Sequence, residues 1–524
     1  MDEDAQATQE ARRPWPFRTR WRIEGCLVTE SGLHIGSGHA TRHPEIKDGD
    51  KPVEISAIVR DHENAPMIPG ATLKGNLRAG LAHHSNRDLL NRVFGQGPST
   101  DNSNNGGRGG SAEFHDARLV MPRRWETPLP WWDETRQAWI EIGNAINRSR
   151  ATVEENKLFH REVVPAGVGF QVVITGMFEN EEEVALLLAA LEGFNASDDE
   201  GRVTIGADTH SGKGRCRWEL GEIYRLDRDG VKAWVRDQNR GCAEHCLPAI
   251  DDDKRLALLK KAKALRQSNQ KDTLALDITL RFKGPFLVND PPGEKEKLKE
   301  KDERLKPPDA RPRTNETGDV VLPERSFRGS LRAQAERILR TMVSDDVFHD
   351  RGKLHRIVCR PEVTELACGP IHNEKELDKL CLPCRLFGAP GWRSPLEIRP
   401  FELQPSPSGY EQQVQELIAI DRFTGGGLSG AKFNALAIYS PVFKGQIILD
   451  RSRMPCAWAR GLLALTLRDL IEGDITFGYG AAKGYGACTA EVNPWSPEAF
   501  GEKSVAILRE TIKQRLSAGG QNDA

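Results

Sequence analysis

Four cysteines in the second half of the chain have the spacing of a metal site. Cys359 and Cys368 precede a Cys-x-x-Cys pair, Cys381 and Cys384, so four thiols fall between positions 359 and 384. Four thiolates bind Zn²⁺ tetrahedrally and leave no open position, which predicts a structural site and not a catalytic one. His355 and His372 are close enough in sequence to replace Cys359 as the fourth ligand, and the alternative is free buried cysteines. A disulfide framework is typical of small secreted chains, so this chain of 524 residues is expected to work in a reducing cytoplasm.

Basic residues combined with glycine offer a second kind of chemistry, the binding of phosphates. Lys74 and Arg78 lie four residues apart in MIPGATLKGNLRAGL (67–81), so they share one face of a helix. Glycine-rich loops at 204–216 and 476–488 allow a ligand backbone to approach closely, and helix N-termini favour anions. The alternative is that the glycines form tight turns and the basic residues form a solvated face.

These motifs occur twice. VLPERSFRGSLRAQA (321–335) repeats the basic segment with an offset of 254, which is 328 − 74. NRVFGQG (91–97) pairs with CRLFGAPG (384–391), AINRSRATVEENKLF (145–159) with AIDRFTGGGLSGAKF (419–433), and TIGADTHSGKGRC (204–216) with TFGYGAAKGYGAC (476–488). Four collinear pairs indicate two homologous domains, which we call copy one (18–225) and copy two (273–495). The cysteines fall in an insertion of copy two, at about 350–390. A disordered lead-in (1–17), a charged and partly helical connector (226–272) and a C-terminal helix and tail (496–524) complete the predicted organisation.

The elements that would position these motifs follow one order in both copies. Strand-like runs at 21–28 and 274–282 precede the basic helices, expected at Thr72–His84 and Ser326–Met342. Strand-like runs return at 170–178 and 446–450, each followed by an apolar helical segment and the glycine-rich loop. This order predicts an α+β fold of two tandem ferredoxin-like domains of the RRM type, with insertions.

Composition restricts the function classes. The net charge is −2 and the charged fraction 29%, which disfavours a generally basic protein that coats nucleic acid, although a local basic groove is compatible with it. No apolar run approaches the length of about 18 residues that predicts a membrane span, and the first residues do not form a secretory signal.

The motifs together resemble the RAMP superfamily of CRISPR systems, most closely the backbone subunits of type III effectors. The residues that carry this resemblance are GLHIGSG (32–38), IPGATLKGNLR (68–78) and VFG (93–95) in copy one, and LPERSFRGSLR (322–332), CLPCRLFG (381–388) and FGYGAAKGYG (477–486) in copy two. The resemblance implies a tandem subunit that binds guide RNA, meets target RNA and contacts neighbouring effector subunits, including other RAMP backbone subunits and a large polymerase-like subunit. The residues expected to contact RNA are His34, Lys74, Arg78, Arg148, Gly206 and Lys213 in copy one, and Arg328, Arg332, Arg422, Gly478, Lys483 and Gly484 in copy two.

The resemblance also implies that a loop aspartate before each basic helix cuts target RNA. In copy one Asp50 matches the family pattern best and Asp48 is its rival, while Asp309 is the candidate of copy two. Such a carboxylate can hold Mg²⁺ or another divalent metal, or assist transfer of the proton from a 2′-OH. The alternatives are a non-catalytic guide-binding subunit and an endonuclease that processes guide RNA, and a zinc enzyme is disfavoured by the closed ligand set.

Overall fold

The computed structural model describes residues 18–48, 51–82, 86–97, 107–124, 132–147, 152–197, 201–236, 248–267, 272–290, 308–315, 318–361, 363–453, 457–494 and 502–517. The backbone divides into two compact units. The first unit comprises Met1–Glu141, His160–Ala207 and Lys213–Lys271, and the second Ile142–Phe159, Asp208–Gly212 and Asp272–Ala524. None of the helices in these ranges combines the length and the apolarity needed to cross a membrane.

Among its described residues, the first unit contains two sheets and five α-helices. One sheet has the order β10-β1-β9-β6-β4, with β5 also paired to β9, and the other has the order β2-β3-β8-β7, in which β7 and β8 each run on into the second unit. The strands are β1 (Thr19–Thr29), β2 (Gly36–Asp48), β3 (Lys51–Ile58), β4 (Met67–Ile68), β5 (Ala112–Phe114), β6 (Ala117–Met121), β7 (Trp139–Asn147), β8 (Thr152–Val163), β9 (Gly169–Phe178) and β10 (Cys216–Leu226). The helices are α1 (Gly70–Gly80), α2 (Arg87–Phe94), α3 (Glu181–Leu191), α4 (Arg228–Arg236) and α5 (Asp252–Gln267).

The second unit also has a first strand, a basic helix, a run of five strands, an apolar helix and a last sheet strand in this chain order. Its larger sheet has the order β13-β17-β11-β18, with β14 also paired to β17, and its smaller sheet has the order β12-β16-β15. The strands are β11 (Thr273–Phe282), β12 (Pro285–Phe286), β13 (Leu396–Ile398), β14 (Glu402–Leu403), β15 (Gln412–Ile420), β16 (Gly427–Tyr439), β17 (Val442–Asp450) and β18 (Cys488–Asn493). The helices are α6 (Glu324–Met342), α7 (Asp345–His349), α8 (Arg351–Ile357), α9 (Leu382–Phe387), α10 (Ala457–Glu472) and α11 (Glu502–Ser517). The mixed α+β class predicted from the sequence is confirmed.

The basic helices begin two residues earlier than the hydrophobic spacing predicted. Pro69 caps α1 and Pro323 caps α6, with almost the same backbone angles (φ −59°, ψ 137° and φ −59°, ψ 138°). Proline lacks an N–H and fixes φ near the helical value, so a helix can start directly after it. The helix that follows β9, α3, is buried on all sides from Val184 to Leu191. Asn180 caps α3 by accepting hydrogen bonds from the backbone N–H groups of Glu182 and Glu183.

Candidate nucleic-acid interface

Corresponding backbone hydrogen bonds align the residues of copy one with those of copy two. The Val59 N–H donates to the Ile35 carbonyl, and the Met67 N–H donates to the Val59 carbonyl. In copy two Arg313 donates to Val288 and Val321 donates to Arg313 in the same way. Positions 59 and 67 therefore correspond to 313 and 321, which gives the offset of 254 found for the basic helices. The segment that precedes the basic helix in copy one can therefore be compared, residue by residue, with the matching segment of copy two.

The repeated arginine of the basic helix binds groups of the protein itself. In both copies it donates to the carbonyl of the Phe-Gly glycine and to the side chain four residues before that glycine. Arg78 does so to Gly95 and to Asn91 Oδ1 at 2.9 Å, and Arg332 to Gly388 at 3.1 Å and to Cys384 Sγ at 2.9 Å. This pairing gives the arginine a role in joining the basic helix to the next one, and a contact with RNA stays a prediction.

The first basic position differs between the copies. Arg328 is buried, and its guanidinium donates to the carbonyls of Phe387, Leu396 and His210 and to Ser394 Oγ, at 2.7–3.2 Å. Burial, together with Arg332 and Arg393 nearby, lowers the pKa of Arg328 to about 10, although Glu397 and Asp208 act in the opposite direction. Lys74, its counterpart, is half-buried and has no hydrogen bond or ion pair with any residue that the structure describes. The Lys74 ammonium group therefore has no partner within the described part of the chain.

One glycine of the basic helix faces open space in both copies. Gly75 and Gly329 are exposed, and a Cβ added to either would meet no atom within 4 Å. Glycine inside a helix costs about 0.5–1 kcal/mol relative to alanine. Packing within the described chain does not require either glycine, so a ligand that approaches the helix backbone would explain both.

The glycine-rich loops divide into two kinds of position. Gly206 and Gly478 have positive φ, and a Cβ would lie 2.7 Å from the His34 carbonyl oxygen or 2.3 Å from that of Leu287. Contacts inside each copy therefore explain these two glycines. Gly484 also has positive φ (84°), but a Cβ there would meet nothing within 4 Å.

The lysines and the histidine near these loops are not equivalent. Lys213 is largely buried and forms an ion pair with Glu141, and His34 is buried with its Nδ1 2.7 Å from the Glu162 carbonyl oxygen. Lys483 is exposed, with Nζ 4.3 Å from the ring centre of Phe433. The structure thus leaves Lys483 accessible and engages the other two side chains internally.

A hairpin formed by β15 and β16 exposes apolar side chains. Phe423, in the turn between the strands, is fully exposed, and Arg422 beside it is exposed as well. The other large apolar residues exposed on this hairpin are Val414, Ile418, Ile420 and Leu428. Exposed apolar groups of this size on one element are typical of a contact surface. In copy one the corresponding turn, with Arg148, lies outside the described residues.

Asp309 lies at the base of this hairpin with an exposed side chain. Its backbone N–H donates to Asn434 Oδ1 at 2.8 Å, and its Oδ2 accepts from the Asn434 backbone N–H at 3.1 Å. The next residue, Ala310, forms a parallel bridge with Ala435. Asp309, β16 and the glycine-rich loop meet around one small core that includes Leu287, Ala310, Ala435, Ala437 and Tyr485. Asp50 and the side chain of Asp48 lie outside the described residues.

Sequence reasoning missed Asn434. The residue directly follows the repeated segment 419–433, where copy one has His160, but no local pattern indicates a partner 125 residues earlier in the chain. Only the pairing of β16 with the segment that contains Ala310 brings Asn434 and Asp309 together.

The four cysteines of copy two form one cluster. Their Sγ atoms all lie within 4.8 Å of one another, and Cys359 Sγ is 3.6 Å from Cys384 Sγ. His355 is outside this group, and its Nδ1 is 2.8 Å from the Leu366 carbonyl oxygen. Hydrogen bonds from the other three thiols lower the pKa of Cys359. The arrangement can hold one metal ion through four sulfurs, with Arg332 adjacent to the Cys384 sulfur.

Comparisons with known proteins agree with this geometry. The model of the RAMP superfamily matches residues 26–217 and 280–489. A curated relative, the CRISPR system Cms endoribonuclease Csm3 of Methanocaldococcus jannaschii, is 24% identical over 216 residues, which is 37% of this chain and 77% of the relative.

Proposed function

This chain belongs to the RAMP superfamily, which it matches in two successive regions, and we propose that it is a tandem guide-RNA-binding subunit of a type III CRISPR effector that cleaves target RNA. The observation that carries the proposal is Asp309, an exposed residue at the base of an apolar hairpin, whose carboxylate and backbone N–H each form one hydrogen bond with Asn434. The similarity to a protein named as a CRISPR endoribonuclease supports both parts of the proposal.

Guide RNA would lie along the basic helices and glycine-rich loops. Lys74 and Lys483 would neutralise phosphates, and the open helix glycines Gly75 and Gly329 would admit the RNA backbone. Gly484 would provide a third open position. Arg78, Arg328 and Arg332 would shape this surface through their internal hydrogen bonds. The other residues for which RNA contact stays a proposal are His34, Arg148, Gly206, Lys213 and Gly478. We further propose that each copy has a ferredoxin-like core.

The β15–β16 hairpin would interrupt the pairing between guide and target. Phe423 at its turn can insert between bases or stack on one, because an aromatic ring presents a face to any base without selecting its sequence. Arg422 would contact the neighbouring phosphate. A target nucleotide displaced by the hairpin would be free to adopt the geometry that cleavage needs.

Asp309 would act on the target strand at this interruption. The 2′ oxygen attacks the adjacent phosphorus and the P–O5′ bond breaks, and the leaving 5′ oxygen takes up a proton from water, which gives a 2′,3′-cyclic phosphate and a free 5′-OH. Asp309 can accept the proton of the 2′-OH, or hold a divalent cation whose remaining ligands come from the RNA and water. Asp309 is not part of any cluster of three or more metal-binding side chains among the described residues, so the substrate would have to supply ligands. When bound, Mg²⁺ or a similar cation would neutralise developing charge on the phosphate.

The cysteine cluster fits Zn²⁺ in a structural role. Four sulfur ligands within 4.8 Å of one another match a closed Cys₄ site. Arg332 would stabilise the negative charge of the thiolates through Cys384. The zinc would fix the insertion against the basic helix of copy two, since Arg332 belongs to that helix.

Asp309→Ala in a complex assembled on guide RNA tests the proposed function. The wild-type complex should cut complementary RNA and spare a non-complementary RNA. The variant should bind complementary RNA as tightly but lose the cut assigned to copy two. An unchanged pattern of cuts in the variant would refute the proposal, and so would cleavage that does not depend on complementarity.

A further inference from the structure

The pairing of Asp309 with Asn434 is reciprocal. Asp309 gives its backbone N–H to the Asn434 side chain, and Asn434 gives its backbone N–H to the Asp309 carboxylate. Asn434 is half-buried, whereas Asp309 is exposed. The two bonds therefore fix both the backbone of the aspartate and one oxygen of its carboxylate. The other oxygen, Oδ1, has no hydrogen bond with any described residue and is available to a ligand.

The bond from the Asn434 side chain is the one that a substitution can remove. The N–H that reaches Asp309 Oδ2 belongs to the backbone of position 434, so every residue at 434 except proline retains it. The Oδ1 atom of Asn434 is the acceptor for the Asp309 N–H. Loss of this acceptor would keep the single hydrogen bond to the carboxylate but release the Asp309 backbone N–H, and the segment would then join β16 mainly through Ala310.

Copy one has different residues at both positions. The offset of 254 established by the backbone register aligns Asp309 with Ile55, since 309 − 254 = 55. Ile55 is completely buried and packs against Ile140 and Val53. Ile55 also pairs with His160 across the β3–β8 ladder, and His160 directly follows the segment that matches the one before Asn434.

His160 cannot take over the role of Asn434. His160 is buried, burial lowers its pKa, and its Nδ1 has no hydrogen-bond partner among the described residues. Ile55 occupies the position that corresponds to Asp309, so copy one has no carboxylate at this position that His160 could orient. The copy-one candidates Asp48 and Asp50 lie seven and five residues before Ile55 (55 − 48 and 55 − 50).

We infer that Asn434 is a positioning residue for Asp309 in target RNA cleavage, and that this reciprocal pair belongs to copy two alone. The inference rests on the proposed function. The cut by copy two would then depend on the Asp309–Asn434 pair. Any cut by copy one would depend on a carboxylate at a position other than Ile55, the residue that aligns with Asp309.

The test uses the guide-loaded complex in single-turnover cleavage of end-labelled target RNA. Asn434→Ala should slow the copy-two cut roughly 5- to 10-fold, the effect of one lost hydrogen bond, with target binding unchanged. The divalent metal concentration that gives half-maximal rate should rise, because the carboxylate is less well ordered. Cuts at other positions should keep their rates.

Asn434→Asp separates positioning from a general structural effect. The aspartate retains an acceptor for the Asp309 N–H, but its charge beside Asp309 should move the acidic limb of the pH–rate profile to higher pH. A general structural effect would lower the rate at every pH and would not move that limb. Gln446→Ala is the matched control, because Gln446 donates its side-chain amide to the Asp277 carboxylate at 2.7 Å elsewhere in the same unit.

The outcomes separate the inference from the proposed function. Unchanged rate, metal dependence and pH profile in the Asn434 variants would refute the inference, while a lost cut in Asp309→Ala would keep the proposed function. Weaker target binding in Asn434→Ala, not restored in Asn434→Asp, would also refute it. A cut that survives Asp309→Ala would refute the proposed function itself.

Discussion

Alanine at the open glycine of each basic helix should stabilise the protein and weaken its binding to guide RNA. Gly75 is the sixth residue of Gly70–Gly80, and Gly329 is the sixth residue of Glu324–Met342. Both positions are inside their helices, and a Cβ at either meets no atom within 4 Å. Each substitution should therefore add about 0.5–1 kcal/mol to the free energy of unfolding.

The expected effect on RNA has the opposite sign. A methyl group inserted where the RNA backbone contacts the helix should cost about 1–3 kcal/mol of binding free energy, a loss in affinity of roughly 5- to 150-fold. Urea unfolding of the free protein and filter binding of labelled guide RNA measure the two effects on one preparation. A stabilising substitution that weakens binding cannot act by unfolding the protein.

Gly80→Ala is the matched control in the same helix. A Cβ at Gly80 would lie 2.5 Å from Val203 Cγ2, so this variant should be destabilised. Guide affinity that is unchanged in Gly75→Ala and Gly329→Ala would refute the argument that these glycines admit RNA. A lower free energy of unfolding in those two variants would refute the claim that a Cβ at Gly75 or Gly329 meets open space.

Three further predictions concern other parts of the chain. Cys381→Ser should contain less bound zinc by elemental analysis and should unfold at lower temperature. Cys26→Ser, outside the cluster, should retain its zinc, and equal zinc content in the two variants would exclude the Cys₄ site. Phe423→Ala should leave unfolding within about 0.5 kcal/mol of wild type because the ring is fully exposed, but should slow the copy-two cut in a target cleavage assay; an unchanged rate would argue against the hairpin's role. Burial and the nearby Arg328 lower the pKa of His210 to about 4, so the unfolded chain binds the proton first. Stability should thus fall as the pH drops from about 6.5 to 4, by up to about 3 kcal/mol, and urea unfolding of His210→Gln should show a smaller fall; an identical fall would contradict the assignment.

The order of elements was predictable because local pattern determines it. Apolar segments at 170–178 and 446–450 predicted the strands Gly169–Phe178 and Val442–Asp450, and the repeated motifs predicted the two basic helices. The spacing of four cysteines predicted a cluster that the folded chain does form. These features depend on residues near one another in sequence, or on a ligand type that requires a fixed spacing.

The roles of individual basic residues were not predictable in the same way. Arg78 and Lys74 look alike in sequence, but only the packing of α1 against α2 shows that Arg78 is bound by Asn91 and Gly95. The Asp309–Asn434 pair depends on strand pairing across 125 residues, which no periodicity reveals. Long-range register therefore decides which polar residues remain available for a ligand.

Single-turnover cleavage by the guide-loaded Asp309→Asn complex tests whether the Asp309 carboxylate cuts target RNA. Asparagine keeps the size of the side chain but removes its charge, so guide and target affinities should stay within about twofold of wild type. The cut assigned to copy two should slow by at least about 100-fold, in the range typical for loss of a general base. The same cut at the wild-type rate would show that Asp309 is not the catalytic group.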